Sequence, residues 1–497
     1  MSKKVLILGA GIGGLAAGVR LLSRGYKVKI FEKEASIGGK IQPLKAGNFN
    51  FDLTASILMT PKVYQELFVY ANRDYMDYFQ FIKVDPNYRV HYEDGTNIDF
   101  SSNLADLTKA LESISQEDAL GFIKFLTDLY ERYIVADKSF FQKSFQSPLD
   151  LLKPSTLWSS LKLHTLSTPY SLISNYVENE KLRKFLCFQA MYIGISPFNG
   201  PSIYALVPAV TELYGLWHLK GGLYSYIEAM GKLINEFGGI VTTNSPVEEI
   251  LISHGRAVGV KTNAVVEYGD IIICNADFPY AVKNLIEDEK YKVKYTDEKL
   301  ENLKYSCSNF VMYLGLKKKY PELKVHNHYL GSNFKDNTEA AFEGKLPQEP
   351  PLYFYCPSSI DDSMAPYNKD CLSIVVRVPN LFFDEIKWNE DTINTLRKRV
   401  FSILSKIKGL EDIEENVEYE SYLTPEDLKN RFNSYGGTAY GLSPTLMQTN
   451  YFRPHIKSED VENFFFVGSS VHPGPGASIV LIGSKLVAEE IIKNDLI

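Results

Sequence analysis

This 497-residue sequence predicts an α/β fold, with one domain assembled from three separated stretches of chain and a second unit built from what lies between them. Three observations carry that expectation. A strand, a glycine-rich turn, a helix and a second strand follow one another from Val5 to Glu32. A helix, a Gly-Gly turn and several short strands run from about Gly222 to Phe278. Near the end, the apolar run Phe464–Val467 leads through a glycine-rich loop into a last helix.

The first element is Val5–Leu8, four apolar residues that suit a buried parallel strand. Gly9, Gly11 and Gly14 follow as G-x-G-x-x-G, and Leu15, Val19 and Leu22, spaced by four and three, mark the helix they open. Each glycine has a separate task. Gly9 permits the tight turn, Gly11 keeps a side chain away from a pyrophosphate, and Gly14 lets helix and strand approach closely. The helix N-terminus offers free N–H groups and the positive end of a dipole to phosphate oxygens. Gly25 stands where a helix C-cap belongs. The second run, Val28–Phe31, stops at Glu32, an acid placed to accept hydrogen bonds from ribose hydroxyls and unfavourable to a 2′-phosphate. A secretory signal after Lys3 and Lys4 requires an unbroken apolar stretch, which these glycines interrupt, so a cytoplasmic protein is expected.

In the middle segment Val247, Ile250 and Ile252, followed by Ala257–Val260, read as a meander, and "GDIIICNADF" adds one more buried strand. In the last segment the helix beyond Gly476 places Val480, Ser484, Val487 and Ile491 on one face. The expected division is 1–53, 220–278 and 428–497 for the dinucleotide-binding domain, with 54–219 and 279–427 inserted to form a substrate domain. Only one G-x-G-x-x-G occurs, so no second, nicotinamide-binding domain is expected.

The net charge of −7 gives no reason to expect nucleic acid as a partner. Five cysteines, an odd number without C-x-x-C spacing, argue against a disulfide framework and against any metal site. No run of about 18 apolar residues is present, so nothing is expected to span a bilayer. The 32 Tyr and 29 Phe leave two readings open, a compositional bias or rings that line a long apolar cavity. Leu151–Val177 holds Trp158, Lys153 and Lys162 and no acidic residue. It fits either a surface lying among lipid headgroups or an ordinary pair of core-facing helices, and peripheral membrane association is the expectation.

The N-terminal unit with "GGK" at Gly38–Lys40, together with "VGSSVHPGPGASIVLIGSKLVAEEI", resembles the flavin-binding halves of bacterial phytoene desaturases, a fold shared more distantly by the FAD-containing amine oxidases. "FLTDLYERYIVADKSFF", "LCFQAMYIGISPFNGPSIYALVPAV", "KYSCSNFVMYLGL" and "GLSPTLMQTNYFRP" are similar to the branch of that family acting on C30 carotenoids, and the resemblance runs essentially end to end. It implies a Rossmann-like FAD-binding domain of the glutathione reductase/amine oxidase type. By that resemblance Gly9, Gly11 and Gly14 hold the FAD pyrophosphate, Glu32 the adenosine ribose, and Gly39 with Lys40 the next phosphate contact, and Lys33 is a further cofactor-binding residue. Val247 meets the adenine through its backbone. Gly468, Ser469 and the stretch from Pro473 through Gly474, Gly476 and Ile479 to Val480 lie against the isoalloxazine. Two positions depart from the pattern: Ser469 replaces an Asp common in this fold, and in "FDLTAS", Phe51–Ser56, Thr54 and Ala55 replace Gly and Pro.

The implied reaction is desaturation of a C30 polyene precursor, 4,4′-diapophytoene to 4,4′-diaponeurosporene or a similar product. A hydride leaves for flavin N5 and a proton leaves the neighbouring carbon. Such a substrate offers no polar handle, so an apolar channel must select it by shape. Glu212, Glu228, His218 and His472 are the candidates for a base, with His472 the best placed, while an allylic cation could also lose its proton to water. A quinone or oxygen is the expected electron acceptor. Three other readings stand beside this one: a carotenoid terminal oxidase of the same superfamily, an amine oxidase with a Lys near flavin N5 and an aromatic cage, and a non-enzymatic lipid carrier such as the Rab GDP-dissociation inhibitors.

Overall fold

The computed structural model describes residues 2–54, 56–145, 147, 149, 150, 153, 158, 163, 166–263 and 265–495. Its first sheet is parallel throughout, with strands in the order Phe464–Phe466, Ile271–Cys274, Lys4–Leu8, Lys27–Phe31 and Ile240–Thr242. The three stretches singled out in the sequence therefore meet in one sheet. Alternation along these strands decides what covers them. Val5, Ile7, Val28, Ile30 and Ile273 pack under the helices Ile12–Leu22, Tyr224–Glu236 and Ala477–Asp495. Leu6, Leu8, Ile272, Cys274 and Phe466 face the other way, beneath the meander Val247–Tyr268 and the helix Phe278–Leu285. A parallel sheet covered on both faces needs apolar residues at consecutive positions, which is why Val5–Leu8, Ile271–Cys274 and Phe464–Phe466 read as unbroken runs, whereas Lys29 interrupts the strand nearer the edge and pairs with Glu267.

Gly25 closes the first helix at φ +87°. Its N–H donates to Leu22 at 2.9 Å and that of Tyr26 to Leu21 at 3.2 Å, the paired bonds of a Schellman end. The final helix differs from the one-face expectation. Leu481, Ile482, Leu486 and Ala488 are buried along with Val480, Ser484, Val487 and Ile491. It lies between the helices Ile12–Leu22 and Pro61–Tyr70, so little of its circumference reaches solvent.

A second sheet of seven strands runs Val417–Leu423, Ser308–Leu316, Asp370–Val378, Leu352–Tyr355, His326–Leu330, Tyr88–Tyr92 and Asn97–Phe100. The helix Glu390–Leu404 covers one face. The other carries the helices Gln116–Ala136, Glu180–Phe188 and Leu206–Tyr214 and, from the N-terminal segment, Phe49 and Phe51. Leu58, Tyr64, Leu67, Phe68 and Phe79 pack with the helices of the first sheet, although they belong to the stretch expected as the first insertion. All five cysteines are free and buried. Among the described residues no helix is long and apolar enough to cross a membrane. Ala55 of "FDLTAS" and most of residues 151–165, including Lys162, lie outside the described residues. Trp158 is 63% exposed and Leu166 92%.

Candidate functional site

One cavity of about 950 Å³ begins at the glycine-rich turn and continues between the two sheets. At its first end Gly9 turns the chain at φ +96° and donates its N–H to Phe31 at 2.7 Å. Gly11 precedes the helix without a side-chain cap, so the first helical N–H groups stay available to an anion. The tightness of the turn has a second cause that the motif alone does not reveal. A Cβ on Gly11 would stand 2.6 Å from Asn275 Nδ2, and one on Gly13 2.6 Å from Asn275 Oδ1. Asn275 follows the strand Ile271–Cys274 and is fixed by its N–H bond to Leu8 at 2.7 Å. At Gly14 a Cβ would come within 2.3 Å of the Gly9 carbonyl, which is the close helix–strand approach expected of that position.

Glu32 lines the cavity, its Oε2 accepting from the Ala10 N–H at 2.8 Å and its Oε1 from Glu34 at 3.0 Å. Burial raises its pKa against the opposing pull of those two bonds. Lys33 reaches Asn433 Oδ1 at 3.0 Å, joining the first segment to the third. Gly38 donates to Ala10 at 2.8 Å, and a Cβ on Gly39 would lie 3.3 Å from the Gly11 Cα. The Lys40 ammonium donates to the Ala439 carbonyl at 3.2 Å, and Thr54 Oγ1 donates to the carbonyl of Lys40 at 2.7 Å. Burial lowers the Lys40 pKa and Asp277 opposes this. Val247 lines the same cleft.

Across from it Gly468, Gly474 and Gly476, with φ +141°, +138° and +109°, carry the loop into the last helix, and these glycines line the cavity with Ser469, Ile479 and Val480. A fully buried arginine holds the loop in place. Arg453 donates from Nη2 to the Ser469 carbonyl at 2.6 Å, from Nε to Val471 at 3.1 Å and from Nη1 to Gln448 at 3.2 Å. Burial pushes its pKa down to about 10.

The rest of the cavity is of different character. Tyr133, Phe140, Phe141, Ile203, Val207 and Val210 make a largely apolar wall. Where the wall meets the cleft stands a polar group of Ser56, Tyr192, Asn309, Tyr353, Arg377 and Tyr440. Arg377 Nη1 donates to Asn309 Oδ1 at 2.7 Å and its guanidinium lies 5.6 Å from the Tyr440 ring centre. Among the described residues it makes no ion pair.

The four candidate bases lie elsewhere. His472, the expected best, is not part of the cavity wall. Its Nε2 is bonded to the Lys143 carbonyl at 2.7 Å, its Nδ1 has no partner, and burial pushes its pKa down to about 4. His218 sits between Tyr355 and Asp361, 2.9 Å from each. Glu212 accepts from Asn87 at 3.2 Å with its other oxygen unpartnered, and burial pushes it up to about 8. Glu228 is exposed on the helix Tyr224–Glu236. Sequence reasoning missed Asn275, Arg453 and the polar group around Arg377. Of these only "CNAD", immediately after a buried strand, carried a local signal.

Positive-φ glycines, an uncapped helix N-terminus and Lys40 converge on a cradle that admits a dinucleotide pyrophosphate, and the cavity beyond it has room for a ring system. Fold and cradle together define a flavin-dinucleotide oxidoreductase. The chain belongs to the flavin containing amine oxidoreductases, whose family model matches residues 12–481. It is similar to the 4,4′-diapophytoene desaturase (4,4′-diaponeurosporene-forming) of Staphylococcus haemolyticus, strain JCSC1435, with 37% identity over 494 residues and 99% of each chain covered. It is 35% identical over 496 residues to the enzyme of the same name from Staphylococcus aureus, strain Newman, again with 99% of each covered. Among solved structures, an oxidoreductase from Methanosarcina mazei shares the fold with a TM-score of 0.67 at 16% identity, covering 98% of this chain and 100% of its own. FAD is the cofactor of this fold and cradle.

Proposed function

We propose that this chain is a FAD-dependent desaturase of 4,4′-diapophytoene, forming 4,4′-diaponeurosporene or a similar product. The observation that carries the proposal is the single cavity running unbroken from the glycine cradle into an apolar chamber. Full-length similarity to desaturases of that name supports the substrate. A C30 hydrocarbon presents nothing to hydrogen-bond or pair with, so its binding rests on burial, at about 25 cal/mol per Å² of apolar surface.

In this reading segments 1–53, 220–278 and 428–497 form the cofactor domain and 54–219 and 279–427 the substrate domain. Gly9, Gly11, Gly14 and the helix N-terminus hold the pyrophosphate, with Gly39 and Lys40 as the next phosphate contact. The two N–H bonds to Glu32 orient its carboxylate, which serves the ribose, with Lys33 as a further cofactor-binding residue, and Val247 meets the adenine through its backbone. Gly468, Ser469, Gly474, Gly476, Ile479 and Val480 flank the isoalloxazine, on a loop that Arg453 fixes through the Ser469 and Val471 carbonyls. The bound flavin supplies the hydride acceptor. The surrounding side chains exclude water and orient the polyene. An amine oxidase is a poorer fit, because Arg377, a permanent cation without an acidic partner among the described residues, repels a protonated amine.

Leu446 and Phe452 line the cavity, and with Met447 they are 39%, 46% and 69% exposed. These residues support peripheral contact with the inner face of the cell membrane and entry of the substrate from lipid. A quinone or oxygen is the proposed electron acceptor. The test is to incubate FAD-loaded protein and a quinone with liposomes carrying either 4,4′-diapophytoene or C40 phytoene and to separate the pigments. Coloured polyenes from the C30 substrate alone support the reading, and conversion of neither ends it.

A further inference from the structure

Given the desaturase reading, the proton released needs an acceptor, and none of the four candidate bases lines the cavity. The polar group beside the cleft contains three tyrosines, of which Tyr192 and Tyr353 are each backed by a histidine. Tyr353 is buried and its hydroxyl is already engaged twice, with His326 Nδ1 at 2.8 Å and Ser56 at 2.9 Å. Tyr192 differs. It is only partly buried and lines the cavity, and its hydroxyl has one partner, His328 Nε2 at 2.6 Å.

His328 is well placed to serve a partner and little else. It lies in the strand His326–Leu330, opposite Tyr353 on one side and Val90 on the other, and is fully buried. Its ring is stacked on Tyr88 at 4.8 Å, and Phe188 meets it edge-on at 4.9 Å. Nδ1 has no hydrogen-bond partner. A buried orphan nitrogen costs about 1–3 kcal/mol, a cost that His91, His326 and His472 also bear, so it is the 2.6 Å contact to a cavity-lining hydroxyl that sets His328 apart.

We propose that Tyr192, backed by His328, accepts the proton that desaturation releases inside the cavity. Two C–H bonds on neighbouring carbons break. One leaves with its electron pair as the hydride bound for flavin N5, and the electrons of the other become the new C=C bond. The proton of that second bond passes to Tyr192 Oη while the phenolic proton crosses to His328 Nε2. The substrate is oxidised by two electrons, the flavin is reduced, and the imidazole carries one extra proton. Burial and the nearby charge of Arg377 hold His328 well below the ordinary imidazole range, so it gives that proton up rather than storing it. The imidazolium then releases its proton to solvent, which restores the neutral ring for the next turnover.

The test is an anaerobic single turnover of FAD-loaded protein with 4,4′-diapophytoene deuterated at either reacting carbon. Tyr192→Phe is expected to slow flavin reduction about 100-fold, the usual effect of losing a positioned base. FAD content and substrate binding should be unchanged, and the isotope effect should grow at the carbon that loses the proton. His328→Gln, which leaves the cavity wall intact, should shift the isotope effect the same way and reads the relay if the tyrosine variant does not load FAD. Wild-type rate and isotope effect in both variants would overturn the proposal. So would the same change produced by Asp137→Asn instead, Asp137 being a carboxylate in the cavity wall. A wild-type flavin that the substrate never reduces would instead remove the desaturase reading on which the proposal stands.

Discussion

Gly11 has two separable reasons to be glycine, and a double substitution distinguishes them. Its φ of −73° suits alanine, so Gly11→Ala introduces no backbone strain and should gain about 0.4–1 kcal/mol from a stiffer unfolded chain. Against this, the new methyl would stand 2.6 Å from Asn275 Nδ2, some way inside van der Waals contact, and overpacking of that kind costs about 1–3 kcal/mol. The apoprotein of Gly11→Ala should therefore lose up to about 2.6 kcal/mol, and less the more freely the Asn275 amide can turn away. Asn275→Ala removes the obstructing amide, so the cost should vanish in the double variant, a coupling within the range of about 0.5–3 kcal/mol seen for touching residues. Affinity for FAD should not recover with it. The same methyl holds the pyrophosphate off the backbone N–H groups, and a hydrogen bond to a charged group is worth about 1.5–3 kcal/mol, or roughly 10- to 150-fold in affinity. Urea unfolding of the apoproteins and quenching of FAD fluorescence measure the two effects independently. A double variant that binds FAD like wild type would refute the phosphate argument, and a stable Gly11→Ala apoprotein would refute the packing one.

Further predictions concern charge and surface. Between the ordinary glutamate value of about 4.3 and about 8, folded Glu212 holds a proton that the unfolded chain has lost. Stability should therefore fall as pH rises through that window, by at most about 1.4 kcal/mol per pH unit, and Glu212→Gln should flatten the melting temperature between pH 5 and 8. His472→Gln should lower stability through loss of the Lys143 bond, yet spare flavin reduction the roughly 100-fold loss that removing a base causes. Leu446→Asp and Met447→Asp should each weaken liposome co-sedimentation about tenfold or more, consistent with about 1.5–3 kcal/mol for each large apolar side chain buried. Unchanged binding would place the membrane contact elsewhere.

Much of the cofactor domain was legible in the sequence because its parallel strands are buried on both faces and read as short apolar runs. The tight turn between the first of these strands and the first helix also demands glycine at fixed spacing. Gly25 was readable for a similar local reason. Spacing along the final helix predicts one buried face because it reports the dominant stripe, whereas its burial comes from two helices distant in sequence. The second sheet was not legible in detail. Its strands pair across long separations, such as Tyr88–Tyr92 with His326–Leu330, and no local pattern encodes that partner. The same holds at the site. His472 was placed near the flavin by its sequence neighbours, but side-chain direction decides its role, and its ring points to the Lys143 carbonyl. Arg377 and Tyr192 are nearly 200 positions apart and become neighbours only through the sheet, so neither carried a signal before folding.

A single anaerobic turnover of FAD-loaded protein with 4,4′-diapophytoene in liposomes, recording flavin absorbance and the visible polyene bands together, shows whether the substrate's electrons reach the flavin. Flavin bleaching and polyene growth should share one rate and one stoichiometry. Flavin that stays oxidised in the presence of the C30 substrate, with no polyene formed, would contradict the desaturase reading.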